Sequence, residues 1–175
     1  MHLRKTGGVF VQSESETAAI NMVIGASATG ARVMTSSSSP GISLKQEGLS
    51  FLAGFELPAV VVNVMRGGPG LGNIAPAQGD YFQATRGGGH GDYRMPVLAP
   101  GSVQEIADLT YLSFDLADRY KTPVMILGDG MMGQTKEPVV FPEPIGELPE
   151  KEWALKSRGD GPSKYMASLV LDTAE

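Results

Sequence analysis

One stretch constrains the fold of this chain more than any other: an almost continuously apolar run at residues 58–65. It reads Pro-Ala-Val-Val-Val-Asn-Val-Met and is rich in β-branched residues. Strands that are buried on both faces, as in a parallel sheet covered by helices, have this continuous pattern, whereas half-exposed strands alternate. The stretch therefore predicts a central strand of a parallel α/β sheet.

Shorter strands and helices alternate around this central strand. We predict further strands at 9–12, 32–35, 95–98 and 123–127, and helices at 14–28, 39–53 and 102–120. A Ser-x-x-Glu capping box opens the last helix, which is also the most amphipathic. Because parallel strands need crossover connections, the alternation predicts a three-layer α/β/α fold with a mostly parallel sheet.

Composition excludes several classes of function. The net charge of −5 is not concentrated in acidic blocks, so nothing suggests nucleic acid or a membrane surface as partner. The absence of cysteine excludes iron–sulfur ligation by this chain, and two histidines exclude a His-rich metal site. Neither a spanning apolar run nor a signal-peptide pattern occurs, which predicts a cytoplasmic protein.

The pattern changes near residue 136, and we predict two regions. Residues 1–136 form the α/β domain, with a length suited to one hydrophobic core. Residues 137–175 begin with four prolines within twelve residues, at 138, 142, 144 and 149, and continue as a weakly patterned polar tail. This composition predicts a proline-rich extended arm and linker rather than a second domain.

The loop that follows the central strand is long, rich in glycine and begins with an arginine. It covers residues 66–91, and loops of that length within compact domains are usually functional. Arg66 stands at the carboxyl end of the strand, where its guanidinium suits bidentate capture of a carboxylate. For His90, near the end of the loop, hydrogen bonding to local backbone is the simpler interpretation.

Glu16 has two interpretations from the residues alone. In Ser13-Glu-Ser-Glu16 it has the place of the acid in a capping box, reaching back to the helix N-terminus. It also follows the predicted strand at 9–12, at the sheet edge where α/β proteins gather their ligands. The pattern favours capping without excluding a role in chemistry.

Six motifs of the chain are specific in combination. They are Gln-Ser-Glu-Ser-Glu-Thr-Ala-Ala-Ile-Asn-Met, Val-Met-Thr-Ser-Ser-Ser-Ser-Pro-Gly-Ile-Ser-Leu, Asn-Val-Met-Arg-Gly-Gly-Pro-Gly-Leu-Gly, Gln-Gly-Asp-Tyr-Phe-Gln-Ala-Thr, Gly-Gly-His-Gly-Asp-Tyr-Arg and Leu-Ala-Pro-Gly-Ser-Val-Gln-Glu. Together they resemble one protein family, the α subunits of 2-oxoacid:ferredoxin oxidoreductases in their pyrimidine-binding domain. The resemblance covers residues 9–141. The arginine loop is most similar to that of the branched-chain members, which act on 2-ketoisovalerate (3-methyl-2-oxobutanoate).

The resemblance implies a thiamine diphosphate-binding fold and a set of site residues. It implies that Glu16 meets N1′ of the cofactor's aminopyrimidine as the catalytic acid, and that Arg66 binds the carboxylate of the 2-oxoacid. Ser38, Pro40 and Gly41 are expected to contact the cofactor. A branched-chain 2-oxoacid would be oxidatively decarboxylated to its acyl-CoA, with coenzyme A as acceptor and ferredoxin receiving the electrons.

The resemblance also implies partners for this chain. Mg²⁺ with the diphosphate, and the iron–sulfur clusters, are expected on the β and γ/δ subunits. The family's usual first strand, with its Gly-Tyr-Pro-Ile-Thr-Pro loop and substrate-contacting threonine, has no counterpart here, nor has the second half of an α subunit. We therefore expect a truncated pyrimidine-binding domain, inactive alone, that forms homo- or hetero-oligomers. The alternatives are a non-redox thiamine-dependent decarboxylase component and a non-catalytic, self-associating fragment.

Overall fold

The structure is a computed structural model, and it describes residues 7–143, 146, 148, 150–155 and 166–168. Its helices and strands follow in the order α1 Glu16–Ala28, β1 Met34–Ser37, α2 Ser39–Leu44, α3 Gln46–Gly54, β2 Ala59–Met65, α4 Tyr81–Thr85, β3 Val97–Leu98, α5 Val103–Tyr120, β4 Pro123–Asp129 and α6 Gly130–Gln134. Helices and strands thus alternate as predicted for most of the chain.

The strands of the described residues form one parallel sheet in the order β1-β2-β4-β3. The long central strands β2 and β4 pair over their whole length, from Ala59 opposite Pro123 to Met65 opposite Asp129. β1 and β3 lie at the edges and are short. The run at 58–65 is therefore a central parallel strand, and its continuous hydrophobicity reflects burial on both faces.

Helices cover both faces of the sheet, which confirms the three-layer α/β fold. Alternate residues of a strand point to opposite faces. Ala59, Val61 and Met125 face a core that includes Ile20 of α1, and Ile42 of α2 and Leu49 of α3 join it. Val60, Val124 and Ile126 alternate with them and are also buried, beneath α5, which packs on β2 and β4.

The predicted strand at 9–12 is wrong. These residues are in no strand, and Val9, Phe10 and Val11 are 82%, 56% and 61% exposed. A strand needs a neighbour for its backbone groups, and among the described residues this segment has no strand paired with it. β-favouring residues alone therefore do not produce a strand here.

Three smaller predictions also needed correction. The second strand runs from Met34 to Ser37 rather than over 32–35, and α1 begins at Glu16, two residues later than predicted. The predicted helix at 39–53 is two helices, α2 and α3, which meet at Lys45. The Lys45 side chain turns inward and binds β1 at this junction.

Part of the predicted arm packs against the domain. Ala154 is 2% exposed, and the N–H of Leu155 donates to the Ala28 carbonyl at the end of α1 over 2.7 Å. Lys151 forms an ion pair with Asp118 of α5. Residues 151–155 thus cover the end of α1, while the assignment of 137–175 as an arm remains a prediction and falls in part outside the described residues.

Within the described residues, no helix combines the length and the hydrophobicity that crossing a membrane requires.

Candidate functional site

The candidate site lies at the carboxyl edge of the sheet. Because the strands are parallel, their C-terminal ends meet along this edge. β1 ends at Ser37, which is in register with Asn63 of β2, and β2 and β4 end side by side at Met65 and Asp129. The segments that follow these ends carry most of the residues that the motifs had singled out.

Glu16 is the first residue of α1 and does not belong to a capping box. The N-cap is Ser15, whose hydroxyl oxygen accepts a hydrogen bond from the N–H of Ala18 over 3.2 Å. Ser13 instead donates its hydroxyl to the Ser15 carbonyl. A capping box needs its acid at the third helical position, which Ala18 occupies. The capping-box interpretation of Glu16 is therefore wrong, and its carboxyl group is available for another role.

The carboxyl group of Glu16 rests against the backbone of Gly41 in α2. A methyl group added at Gly41 would lie 2.9 Å from both Cγ and Oε1 of Glu16, and it would also collide with the Ser37 hydroxyl. Any residue other than glycine would displace one of them. Gly41 thus allows an acid of α1 to approach the end of β1, a contact that unites two of the predicted site residues.

The other two predicted cofactor residues lie in the same turn. Ser38 is the N-cap residue of α2, but its side chain makes no capping hydrogen bond. Pro40 occupies the first turn of α2 and lines a cavity of about 650 Å³. The cavity is also bordered by Ser39, Ser43, Arg66, residues 67–70, Ala77, Gly79 and Asp80. Ser39 and Pro40 therefore face the same cavity as the arginine loop, whereas Glu16, Ser38 and Gly41 are not among its lining residues.

Arg66 lines this cavity, and its side chain carries one buried polar atom without a partner. One end of its guanidinium donates to the Leu71 carbonyl over 3.0 Å. Its Nε is buried and has no hydrogen-bond partner among the described residues. Buried polar atoms are nearly always paired, and an exception calls for an explanation. The guanidinium of Arg66 therefore has hydrogen-bonding capacity that the described residues do not use.

The arginine loop is closed by a polar cluster that sequence reasoning missed. The Ser39 hydroxyl donates to Asp80 over 2.6 Å and accepts from the Arg66 N–H over 3.0 Å. Asn63, fully buried in β2, donates its amide to the same Asp80 oxygen over 3.0 Å and accepts from the Ser39 N–H. Asp80 and Arg66 thus hold the two ends of the segment 66–80 on Ser39. A buried asparagine in an apolar strand was the signal for such a cluster.

Lys45 is a further residue near the site that the sequence patterns did not indicate. It is 1% exposed, and its ammonium group donates to the Thr35 hydroxyl over 2.7 Å and to the Ser36 carbonyl over 3.2 Å. Burial lowers the pKa of Lys45, and the charge of Glu16 partly opposes this by raising it. Its position three residues after Ile42 and four before Leu49 places it on the apolar helix face, which was the available signal.

The glycine-rich segment at 87–91 docks on α3. Ser50 donates its hydroxyl to the His90 carbonyl over 2.8 Å, and the His90 ring lies 3.4 Å from the same hydroxyl. Tyr93 donates its hydroxyl to Gln46 over 3.2 Å. A methyl group at Gly88 would come within 2.5 Å of Gln46 Oε1. His90 therefore belongs to an anchoring contact between loop and helix.

Asp129 ends β4 and caps α6. It accepts from the N–H of Met132 over 2.9 Å, and this backbone hydrogen bond lowers the pKa of Asp129. Residues 128–130 therefore form an ordinary turn at the end of a strand. Among the described residues, no His, Cys, Asp and Glu side chains cluster closely enough to hold a metal ion.

Solved structures with the same architecture define the class of this protein. A 2-oxoglutarate:ferredoxin oxidoreductase from Magnetococcus marinus, solved with 2-oxoglutarate, coenzyme A and succinyl-CoA bound, is similar over 75% of this chain and 23% of its own, with a TM-score of 0.72 and 42% identity. A putative thiamin diphosphate-dependent enzyme from Mycobacterium smegmatis shares the fold with a TM-score of 0.59 at 16% identity. The fold is thus that of thiamine diphosphate-dependent oxidoreductase domains.

The sequence then identifies the family. The chain belongs to the pyruvate flavodoxin/ferredoxin oxidoreductase, thiamine diphosphate-binding family, whose model matches residues 2–167. The ketoisovalerate oxidoreductase subunit VorB of Methanothermobacter thermautotrophicus is 59% identical over 97% of the chain and 48% of the relative. The 2-oxoglutarate synthase subunit KorA of Archaeoglobus fulgidus is 48% identical over 96% of the chain and 48% of the relative. The chain therefore spans about half the length of these curated relatives, and the predicted family is confirmed.

Proposed function

We propose that this chain is the aminopyrimidine-binding part of a thiamine diphosphate-dependent 2-oxoacid:ferredoxin oxidoreductase. The reaction converts a 2-oxoacid and coenzyme A to acyl-CoA and carbon dioxide, and the two electrons released pass to ferredoxin through clusters on partner subunits. The observation that carries the proposal is the contact between Glu16 and Gly41 beside the arginine cavity. This contact supports the proposal because it brings a carboxyl group to the sheet edge from which the arginine loop also extends.

The residues at this edge fit the aminopyrimidine end of the cofactor. Glu16 offers a carboxyl group that is not used in a helix cap, and Gly41 leaves its backbone open to close approach. Ser38 and Pro40 would border the ring from the same turn. When bound, thiamine diphosphate supplies the chemistry that decarboxylates a 2-oxoacid, while the protein supplies binding and orientation. Glu16 would hold or pass a proton at a ring nitrogen, the usual work of a positioned carboxyl group.

Arg66 would bind the carboxylate of the 2-oxoacid. Its buried Nε lacks an acceptor, and its cavity of about 650 Å³ has room for a small acid. An arginine presents parallel N–H donors that match a carboxylate in geometry and in charge. The cluster of Ser39 and Asp80 would hold the arginine loop in the position from which this contact is made.

The substrate we propose is a branched-chain 2-oxoacid. Two ketoisovalerate oxidoreductase subunits are 59% and 58% identical to this chain. The 2-oxoglutarate synthase subunit of Archaeoglobus fulgidus is 48% identical. All of these names denote oxidoreductases or synthases of one family, which favours the oxidoreductase over the decarboxylase alternative. Turnover of 2-oxoisovalerate and of 2-oxoglutarate by the assembled complex would test the preference, and faster turnover of 2-oxoglutarate would refute it.

The role of Glu16 is tested by Glu16→Gln in the assembled complex. Glutamine keeps the shape of the side chain but cannot hold or release the proton. We expect normal assembly and exchange of the cofactor's C2 proton at least about a hundredfold slower, the lower end of losses in acid–base catalysis. The exposed neighbour Glu14, changed to Gln, is the matched control and should exchange normally. Near-normal exchange in Glu16→Gln would rule out this role.

A further inference from the structure

A fully buried asparagine interrupts the apolar run of β2. Asn63 is 0% exposed and stands between Val62 and Val64. A buried amide costs free energy unless both its donor and its acceptor are paired. Valine would suit a buried strand at this position at least as well, because β-branched residues favour strands. The strand itself therefore does not explain the side chain, and the explanation lies in the groups that it binds.

Asn63 binds two segments that are distant in the sequence. Its carbonyl oxygen accepts from the Ser39 N–H over 3.2 Å, and its amide nitrogen donates to Asp80 over 3.0 Å. The orientation of the amide follows from its partners, since a backbone N–H can only donate and the Asp80 oxygen also accepts from the Ser39 hydroxyl. Asn63 thus sets the places of the first residue of α2 and the N-cap residue of α4 relative to β2.

The Ser39 hydroxyl connects this arrangement to Arg66. A hydroxyl has one proton to donate, and two acceptors lie near this one. Asp80 is 2.6 Å away and the Arg66 carbonyl 3.3 Å away, and only the first distance lies in the usual range for O–H···O hydrogen bonds. The hydroxyl therefore donates to Asp80, which leaves its oxygen to accept from the Arg66 N–H over 3.0 Å. The backbone of Arg66 is thus held at a point that Asn63 and Asp80 determine.

The arginine loop beyond this anchor is closed by its own hydrogen bonds. The Gly67 N–H donates to the Ala75 carbonyl over 3.0 Å, and the Asn73 N–H donates to the Gly67 carbonyl over 2.9 Å. The guanidinium of Arg66 belongs to the same unit, because one of its ends donates to the Leu71 carbonyl. The anchor at the Arg66 N–H therefore places the guanidinium as well as the backbone.

We propose that Asn63 is a positioning residue for Arg66. From inside β2 it sets the places of Ser39 and Asp80, and the Ser39 hydroxyl in turn fixes the loop whose guanidinium captures the carboxylate of the 2-oxoacid. This inference rests on the role proposed for Arg66 above. Groups that are already in place bind a ligand without the cost of ordering them. Ser39, Asp80 and Arg66 all line the cavity of about 650 Å³, so the cluster is part of the wall that the substrate would meet.

The first experiment observes the anchor in the full chain, without cofactor or substrate. Hydrogen exchange of the Arg66 amide is followed by NMR in the wild type, in Asn63→Val and in Asn21→Val, a control at an exposed asparagine of α1. We expect about tenfold faster exchange in Asn63→Val, because the N–H loses its fixed acceptor, and no change in the control. Equal rates in the wild type and Asn63→Val would overturn the proposal.

Ser39→Ala provides a second variant in the same experiment. It removes the acceptor of the Arg66 N–H directly and leaves the residues of β2 unchanged, so the result does not depend on the folding of Asn63→Val. The Arg66 amide should again exchange about tenfold faster. An amide that stays protected in Ser39→Ala would show that the hydroxyl does not anchor the loop, which would overturn the proposal as well.

The second experiment uses the assembled complex. It measures KM for 2-oxoisovalerate and, in the absence of substrate, C2-proton exchange of bound thiamine diphosphate. Asn63→Val should raise KM about tenfold, the size of effect expected for one misplaced hydrogen bond, with kcat nearly unchanged. C2-proton exchange should stay normal, since it does not involve Arg66. An unchanged KM, or slower C2-proton exchange, would overturn the positioning role.

A double-mutant cycle with Arg66→Met separates this inference from the function on which it rests. Methionine removes the side-chain donors and keeps the backbone N–H. In the Arg66→Met background, Asn63→Val should raise KM no further, because the asparagine acts through the arginine. Equal increases in both backgrounds would overturn the inference. An unchanged KM in Arg66→Met alone would instead refute the function proposed for Arg66.

Discussion

Glycine has different structural effects at two helical positions of this chain. Gly25 lies on the exposed side of α1, and a methyl group there would contact nothing within 4 Å. Gly41, in α2, is buried between Ser37 and Glu16. The first glycine only weakens its helix, whereas the second one permits a contact that the proposed chemistry needs.

This contrast gives a matched pair of substitutions. Gly25→Ala should raise the free energy of unfolding by about 0.5–1 kcal/mol, because alanine restricts the unfolded chain and favours the helix. Gly41→Ala should lower it by about 1–3 kcal/mol, the usual cost of overpacking, and should displace Glu16. Urea unfolding of the two variants measures both effects. A Gly41→Ala variant as stable as Gly25→Ala would show that the Glu16 contact does not constrain this position.

Lys45 should make stability depend on pH in the alkaline range. Its pKa is 10.5 in the unfolded chain and lower in the folded one, because burial disfavours the ammonium. Between these two values the unfolded chain binds more protons, so the free energy of unfolding rises with pH. The stability gained is fully present above pH 10.5 and is lost as the pH falls through the folded value.

In Lys45→Met the free energy of unfolding should therefore not show this rise with pH. Compared with the variant, the wild type should become relatively more stable as the pH increases from 7 towards 10.5, which urea unfolding at a series of pH values measures. Met at the exposed Lys136 is the control and should leave the rise intact. Parallel stability curves for the wild type and Lys45→Met would contradict the prediction.

Among the elements, α5 follows its sequence signals most closely. The Ser102 hydroxyl accepts from the Glu105 N–H over 3.1 Å, as predicted for a capping box. The carboxylate of Glu105 accepts from the N–H of Gly101 over 2.7 Å, one residue earlier than the box requires. At the other end Lys121 adopts a left-handed conformation and closes the helix. Local interactions at both ends thus define this helix.

Ser102→Ala should test the contribution of the cap. Loss of the hydroxyl leaves the Glu105 N–H without its acceptor, and we expect the free energy of unfolding to fall by about 1 kcal/mol. Ser102→Asp, which retains an acceptor and suits the helix dipole, should stay close to the wild type. Urea unfolding of both variants distinguishes them, and equal losses would mean that the side-chain cap does not stabilise α5.

At the scale of the whole molecule, apolar groups and strand edges remain uncovered. Residues 9–11 are exposed and belong to no strand, and β1 pairs on one side only among the described residues. Unpaired strand edges and exposed apolar patches favour association. These features agree with the expectation that the chain forms homo- or hetero-oligomers.

We accordingly expect a dimer or a larger species of the isolated chain in solution. Light scattering over a range of concentrations measures the mass, and Phe10→Ser should shift the distribution towards monomer if the exposed segment takes part. Ser in place of the exposed Phe51 of α3 is a control for the loss of one aromatic ring elsewhere. A monomer at all concentrations would contradict the expectation.

Much of the fold follows from local patterns. The continuous apolar run defines β2 because only burial on both faces accommodates it, and the capped amphipathic pattern defines α5. The motifs also indicated Glu16, Arg66 and Gly41 as candidate site residues at the sheet edge. Each of these predictions depends on residues that are close together in the sequence.

Only the tertiary structure decided which distant segments of the chain contact each other. The apolar residues at 9–11 favour a strand locally, but a strand forms only where a neighbour accepts its hydrogen bonds. In the sequence Lys45 looks like a surface lysine, and only the packing of the junction of α2 and α3 on β1 buries it. The bond between Ser39 and Asp80 joins residues 41 positions apart. Local sequence thus determined elements such as β2 and α5. Packing determined whether a locally favoured strand forms and which polar groups are buried together, because pairing and burial are properties of the assembled chain.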